Sequence, residues 1–277
     1  MRVYISCDME GTAGVCSFAQ CDPENRHEYP VYRRFMSAEV AAAVEGARAG
    51  GATSFVVNDS HWSMRNLLWD ELPDDVRIVS GAPKPHSMGE GLDAGADAVF
   101  FTGYHAKAGH RDGVLAHTFS DETVYRVRVN GVECSEALLV GALAGAHGIP
   151  VVLVTGDGAI VTETLVAMPW ARGVAVKDAI GFSAASSQTP RAACAAIREG
   201  AREAIARVAA AKPFVFEAPC ELLLETVSAA AADFIELIPG FERIDGRTVR
   251  YRAADYPTLY RAYVAAVRLG GAANAPA

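Results

Sequence analysis

The chain has 277 residues, of which 51% are hydrophobic, and it carries a formal net charge of −8. That length and apolar content exclude a disordered chain and allow one large domain or two unequal ones around a substantial core. The acidic balance, with no Lys/Arg cluster, excludes an electrostatic footprint for nucleic acid or an anionic membrane and suits a cytoplasmic enzyme acting on small molecules.

The first apolar run, Arg2–Cys7, is short and ends in acids, so it reads as a strand rather than as the h-region of a signal peptide. A helix follows over residues 37–49, with Val40, Val44 and Ala47 at helical spacing and a stop at Gly50-Gly51. Residues 54–58, 77–80, 98–104 and 151–155 read as further strands, several of them continuous apolar runs of the kind that helices cover on both faces. Tyr125, Val127 and Val129 alternate with Arg126 and Arg128 ahead of Asn130-Gly131, which predicts a hairpin added antiparallel to the main sheet. A helix over residues 135–147 precedes the 151–155 strand. Alternation of this kind predicts an α/β fold on a mainly parallel sheet flanked by helices.

The last third changes character. Residues 182–189 read as a loop, which places a boundary between a catalytic α/β domain at 1–185 and a smaller α+β domain at 186–277. Thr189-Pro190 opens a helix running to about residue 211. Strands are expected at 214–216 and 220–225, a helix from Ser228, a hairpin around Asp245-Gly246, a last helix over 256–268, and fraying over 272–277. No window reaches the ~18 uninterrupted apolar residues of a membrane span. Cys7, Cys16, Cys21, Cys134, Cys194 and Cys220 match no disulfide framework and contain no Cys-x-x-Cys, so they read as reduced thiols.

Open α/β sheets bind ligands beyond the carboxyl ends of their strands. There the first strand delivers Asp8 and Glu10, the second Asp59 and His61, and the 98–104 strand His105; His117 follows, and Glu133 and Glu136 bracket the start of the next helix. Each alone fits a bland role: a solvated loop, a helix N-cap, a satisfied polar residue. Together they form successive deliveries of carboxylate and imidazole, the ligands that divalent metals prefer, and a cation removes the repulsion among gathered carboxylates. Asp8, Glu10, His61, His105 and one Glu exceed the three ligands usual for a single catalytic zinc. With one bridging carboxylate they supply three contacts to each of two metals, and Asp8, at the end of the first strand, is the natural bridge. Spacing leaves Glu133 and Glu136 open, since Glu136 also complements the helix dipole.

Ser6-Cys-Asp8-Met-Glu10-Gly11, Asn58-Asp59-Ser60-His61, Gly103-Tyr104-His105 and Gly113-Val-Leu-Ala-His117 together resemble the zinc-dependent D-aminopeptidase family, peptidase family M55, known from the dipeptide-transport operon of bacilli. Lys84-Pro85, Ser87-Met88, Glu90-Gly91-Leu92, Pro150, Gly156-Asp157 and Leu237-Ile-Pro239-Gly240 extend the likeness in order along nearly the whole chain. The resemblance implies two zinc ions per subunit, held by Asp8, Glu10, His61, His105 and Glu136, the last chosen by its distance to Pro150 and Gly156-Asp157. It implies His117 as the catalytic histidine, cleavage of an N-terminal D-residue such as D-Ala from short peptides, and a homo-oligomer, a ring-shaped decamer. His110 matches nothing in the family and reads as a neutral surface histidine.

Rival readings are a two-metal phosphoesterase, which would want basic residues for phosphate, and a non-catalytic metal- or peptide-binding protein. No Gly-x-Ser-x-Gly elbow, P-loop or dinucleotide fingerprint occurs, and Gly156-Asp157-Gly158 reads as a turn. Cys7 reads as a small core residue.

Overall fold

The computed structural model describes residues 1–274. Strands β1 (Arg2–Cys7), β2 (Ser54–Asp59), β3 (Val76–Val79), β4 (Ala98–Tyr104), β7 (Val151–Asp157), β8 (Arg172–Gly181) and β9 (Ala184–Ser187) form a sheet of order β3-β2-β1-β4-β7-β8-β9. Every pairing in it is parallel except β8 with β9. A second, antiparallel sheet has the order β11-β12-β10-β5-β6, from β5 (Val124–Val129), β6 (Val132–Glu133), β10 (Cys220–Thr226), β11 (Glu242–Arg243) and β12 (Thr248–Ala253).

Among the described residues the helices are α1 (Phe18–Cys21), α2 (Tyr29–Ala49), α3 (Glu136–Ala146), α4 (Gly158–Ala167), α5 (Pro190–Arg207), α6 (Ala229–Glu236) and α7 (Tyr256–Gly271), besides short 3-10 turns. Alternate residues of β1 serve two cores. Val3, Ile5 and Cys7 pack with Val40 and Val44 of α2 and Ile197 and Ala201 of α5. Tyr4 faces the other way, into a core shared by α3, α7 and the inner face of the second sheet, where Val127, Leu222, Leu224 and Val249 meet Leu259, Tyr260 and Tyr263. The parallel strands are thus covered on both faces, which is why they read as unbroken apolar runs. No described helix is long and apolar enough to cross a membrane.

Several expectations shift. The 124–133 hairpin forms, but it joins β10 in the second sheet instead of extending the parallel one. The antiparallel addition to the parallel sheet is the β8–β9 hairpin, whose Ala-Ala-Ser-Ser strand carries little β-propensity and lies in the segment read as a loop. α2 begins eight residues earlier than its apolar pattern, with Pro30 in its first turn, where the missing N–H costs nothing. Residues 214–216 form no strand; Phe214 and Phe216 pack against the core from an irregular segment. Of the tail expected to fray, Ala272–Asn274 forms a 3-10 turn and residues 275–277 lie outside the described residues.

The sheet order has one consequence for function. From β1 the chain moves outward to β2 and β3, then returns to place β4 on the other side of β1. The crevice beyond the carboxyl ends of β1 and β4 is therefore the topological switch point of the sheet.

α2 and α5 lie side by side, and a Cβ on Gly46 would overlap the Arg198 carbonyl of α5. Gly46→Ala therefore reverses the usual sign. An open mid-helix site would gain about 1 kcal/mol, whereas here overpacking should cost about 1–3 kcal/mol, read as a lowered denaturation midpoint in urea.

Candidate metal centre

Asp8 leaves the end of β1 and His105 the end of β4, so the two span the switch point. The backbone binds them together: Asp8 N–H donates to the Thr102 carbonyl at 2.8 Å, and Gly11 N–H to the Gly103 carbonyl at 2.8 Å. Gly11 lies so close that a Cβ there would overlap the Tyr104 carbonyl. Glu10 sits between these two ties, His61 follows β2, and Glu136 opens α3 behind its N-cap Ser135.

The six side chains converge. His61 Nδ1 lies 3.4 Å from Asp8 Oδ1 and 3.0 Å from Glu10 Oε2. His105 Nε2 lies 3.4 Å from Asp8 Oδ2 and 3.5 Å from Glu136 Oε2. Asp8 thus turns one carboxylate oxygen to each histidine. His117 Nε2 is 4.0 Å from Glu136 Oε1, and its ring stacks on His105 with centroids 4.1 Å apart. The imidazole nitrogens turned away from the cluster each meet a backbone carbonyl: Cys21 O at 3.0 Å for His61, Ala106 O at 3.0 Å for His105 and Leu115 O at 2.8 Å for His117. Donating an N–H there leaves the inward nitrogen with its lone pair, the tautomer that a metal requires.

The electrostatics call for positive charge. Burial alone would raise the Asp8 pKa, but the neighbouring imidazoles of His105 and His61 outweigh it and hold the carboxyl well below its ordinary value. Burial alone would lower the pKa of His61, but the Glu10 carboxylate, then Asp8, drive it well above the usual imidazole value. His105 is raised in the same way, by Glu136 and then Asp8.

The donors fit a metal. Glu10 Oε2 and His105 Nε2 are fully buried and make no hydrogen bond, a cost of about 1–3 kcal/mol each for an unmet polar group. Two ligands of one tetrahedral zinc, each about 2.0–2.1 Å from it, stand about 3.3 Å apart, close to the separations found here. Three overlapping groups have ligand atoms within 4.8 Å of one another: Glu10 with Cys21 and His61; Asp8 with Glu10 and His105; and His105 with His117 and Glu136.

The centre floors a cavity of ≈520 Å³. Phe18, Trp62, Met64, Met88 and Phe119 form apolar wall, α7 closes it with Val264 and Val267, and Asp121, Glu122 and Arg268 also line it. The His117 side chain is 12% exposed against 4% or less for the other five, so it is the one that a bound molecule reaches most readily. Backbone strain collects at the same place. Six described non-glycine residues have positive φ, and five of them (Trp62, Met64, Ser87, Leu115 and Phe119) line the cavity or, for Leu115, hold His117. Such conformations cost about 1–3 kcal/mol each and persist at sites that surrounding structure over-determines.

The loops that carry the site are pinned by buried charged groups. Asp59 accepts from Asn66 N, Asn66 Nδ2 and Leu67 N, folding the loop after His61. Asp157 caps α4 through Ile160 N and accepts from Val114 N at 2.8 Å, fixing the approach to His117. Lys177 and Glu39 hold the loop after Glu10. Sequence reading passed over Cys21, Glu39, Asp157 and Lys177 as site-building residues. Only Asp157, at a strand end, carried a signal of position. Glu133, left open beside Glu136, faces away and pairs with Arg126 at 3.2 Å and Arg128 at 3.5 Å. His110 also stays outside the cluster, with Nδ1 accepting from Asp112 N.

The profile of peptidase family M55, described as D-aminopeptidase, matches residues 1–265. The chain belongs to this family. It is 32% identical over 273 residues to a D-aminopeptidase of Bacillus subtilis (strain 168), covering 97% of each chain. Its fold matches the solved structure of the Zn-dependent D-aminopeptidase DppA from Bacillus subtilis, described as a self-compartmentalizing protease. That match has a TM-score of 0.94 and 31% identity and covers 98% of each chain. Membership makes the chain a metallopeptidase and agrees with the α/β architecture found here.

Glu39 gives a pH test of the pinned loop. Burial pushes its carboxyl up to about 7 from an ordinary 4.5, despite the hydrogen bond from Ala13 N. A folded pKa raised in this way contributes stability that is full below pH 4.5 and is lost as pH rises through 7. Glu39→Gln should flatten the fall in stability across that window, measured by denaturant unfolding at stepped pH.

Proposed function

We propose that this chain is an aminopeptidase that removes an N-terminal residue, D-alanine first among candidates, from short peptides at a centre of two zinc ions. The observation that carries the reading is the division of Asp8, one carboxylate oxygen toward His61, which also meets Glu10, and the other toward His105, which also meets Glu136. Asp8, Glu10 and His61 would hold one ion and Asp8, His105 and Glu136 the other. The Zn-dependence of DppA supports the metal, and the name of the Bacillus subtilis relative supports the substrate. A zinc pair supplies Lewis acidity and a water acidic enough to be a nucleophile at neutral pH.

The chain's own residues do the rest. His117 stands at the cavity edge of the cluster with Nδ1 held by Leu115 O, so Nε2 is placed to move a proton to the departing amide nitrogen. The stacked His105 ring and the Phe18 edge fix its plane. The acidic lining, Asp121 included, meets the cationic α-amine of a peptide, and the apolar wall excludes water. A phosphate ester would find a poorer site, since Arg268 is the one Lys or Arg among the described lining residues. The exposed apolar side chains Val166, Ile180 and Phe182, on α4 and the β8–β9 hairpin, support a homo-oligomer of the kind that self-compartmentalization requires, with a decamer as its expected size. A cytoplasmic location accords with reduced cysteines.

Hydrolysis of paired D-Ala and L-Ala p-nitroanilides, with chelator and with added zinc, tests the reading. Chelator-sensitive turnover favouring D-Ala is expected. Turnover of the L-form alone would remove the stereochemical assignment, and none on either would remove the aminopeptidase. His117→Ala should keep its zinc by elemental analysis yet lose about 10²–10⁴-fold in kcat, whereas Asp8→Ala should lose zinc. Full two-metal content in Asp8→Ala would end the bridging assignment.

A further inference from the structure

One buried ammonium stands outside the metal cluster but touches the loop that builds it. Lys177, on β8, is 2% exposed, and its Nζ donates to three backbone carbonyls: Glu10 O, Thr12 O at 3.0 Å and Val15 O at 2.6 Å. An ammonium has three N–H donors, so its capacity is used in full, and none of its partners is a side chain. From the other side Glu39 of α2 accepts from Ala13 N at 2.8 Å, in the middle of the same loop. The loop backbone is thus gripped through its carbonyls by an ammonium and through an N–H by a buried carboxyl group.

The segment after Val15 extends the reach of this grip. Gln20 Oε1 accepts from Cys16 N at 2.7 Å and Ser17 N at 3.0 Å, completing a capping box that makes residues 15–21 one rigid piece. That piece presents the Cys21 carbonyl to His61 Nε2 at 3.0 Å and the Phe18 ring to the edge of His117. Glu10 itself lies at the other end of the gripped loop, with its side chain 3.0 Å from His61.

We infer that Lys177 is the positioning residue of the metal centre: caged by the carbonyls of Glu10, Thr12 and Val15, it fixes Glu10 directly and His61 and His117 through α1, before any metal binds. The inference rests on the zinc reading proposed for this site. It assigns to Lys177 no contact with substrate or metal. Loss of partners that orient metal ligands typically weakens metal affinity about 10–100-fold, and that is the effect expected here.

Lys177→Ala removes a fragment the size of n-propylammonium and leaves the carbonyl cage in place. The full-length, zinc-loaded chain is titrated with a chromogenic chelator. Lys177→Ala should release zinc at about 10–100-fold lower chelator strength than wild type. Millimolar n-propylammonium should restore retention, and n-propanol, equal in length but without the charge, should not. A space-filling role alone predicts equal repair by the two. Should Lys177→Ala fail to fold, the Lys177→Met/Glu39→Gln double variant, neutral at both positions, carries the test and should show the same loss of zinc. Zinc retention equal to wild type in either variant, or a loss that propanol repairs as well as propylammonium, would overturn the inference alone. A wild-type chain that retains no zinc would overturn both it and the metal reading.

Discussion

Three carboxylates, those of Asp8, Glu10 and Glu136, are removed from water at one edge of a parallel sheet, each no more than 3% exposed. Unpaired, such a group is among the most costly things a fold can bury. The surrounding structure answers that cost with His61 and His105, whose elevated pKa values record how strongly the site demands positive charge. Protonated imidazoles meet the demand only partly, because Glu10 Oε2 and His105 Nε2 still lack hydrogen-bond partners. Divalent cations meet it fully and free the imidazoles to act as neutral ligands.

The two layers of the fold divide the work. The parallel sheet sets the floor, because its strand order opens a crevice between β1 and β4 and delivers a side chain from each into it. The second sheet contributes nothing to the floor but carries α7, whose Val264, Val267 and Arg268 wall the cavity. It also positions α3 indirectly, since Tyr256 of α7 donates its hydroxyl to the Leu139 carbonyl. Glu136 therefore stands where the two layers meet, its helix braced by one and its carboxylate aimed at residues of the other.

Legibility in the sequence followed the physics of each element. β1 and β4 were readable to the residue, because strands covered on both faces are largely apolar, here interrupted only by small hydroxyls at Ser6 and Thr102, and Asp8 and His105 follow directly on their ends. The hairpin at Asn130-Gly131 was readable as a hairpin but not as to its sheet, since alternation records one buried face and not what covers it. Glu136 could not be separated from Glu133 by spacing. The register that pairs Glu133 with Arg128 turns it toward Arg126 and Arg128, and register is a property of the folded pair. β9 was invisible because Ala and Ser say little about strand or loop.

Lys177 marks the limit of such reading. In an alternating strand, a lysine next to a buried valine should face solvent. Between the Gly156–Ala175 and Asp157–Lys177 pairs β8 carries one extra residue, Val176, which breaks the alternation at this place, so Val176 and Lys177 are both buried. A bulge of this kind re-aims a side chain without leaving a trace in composition. Buried charged groups that bind only backbone, as Lys177, Asp157 and Glu39 do, gain little net stability over apolar replacements. What they add is uniqueness: a carbonyl cage admits one arrangement of a loop where hydrophobic packing tolerates several. A metal centre, whose ligands tolerate displacements of only a few tenths of an ångström, is where that uniqueness matters most. The rigidity of the Glu10 loop is therefore best understood as part of the site and not as a by-product of the core.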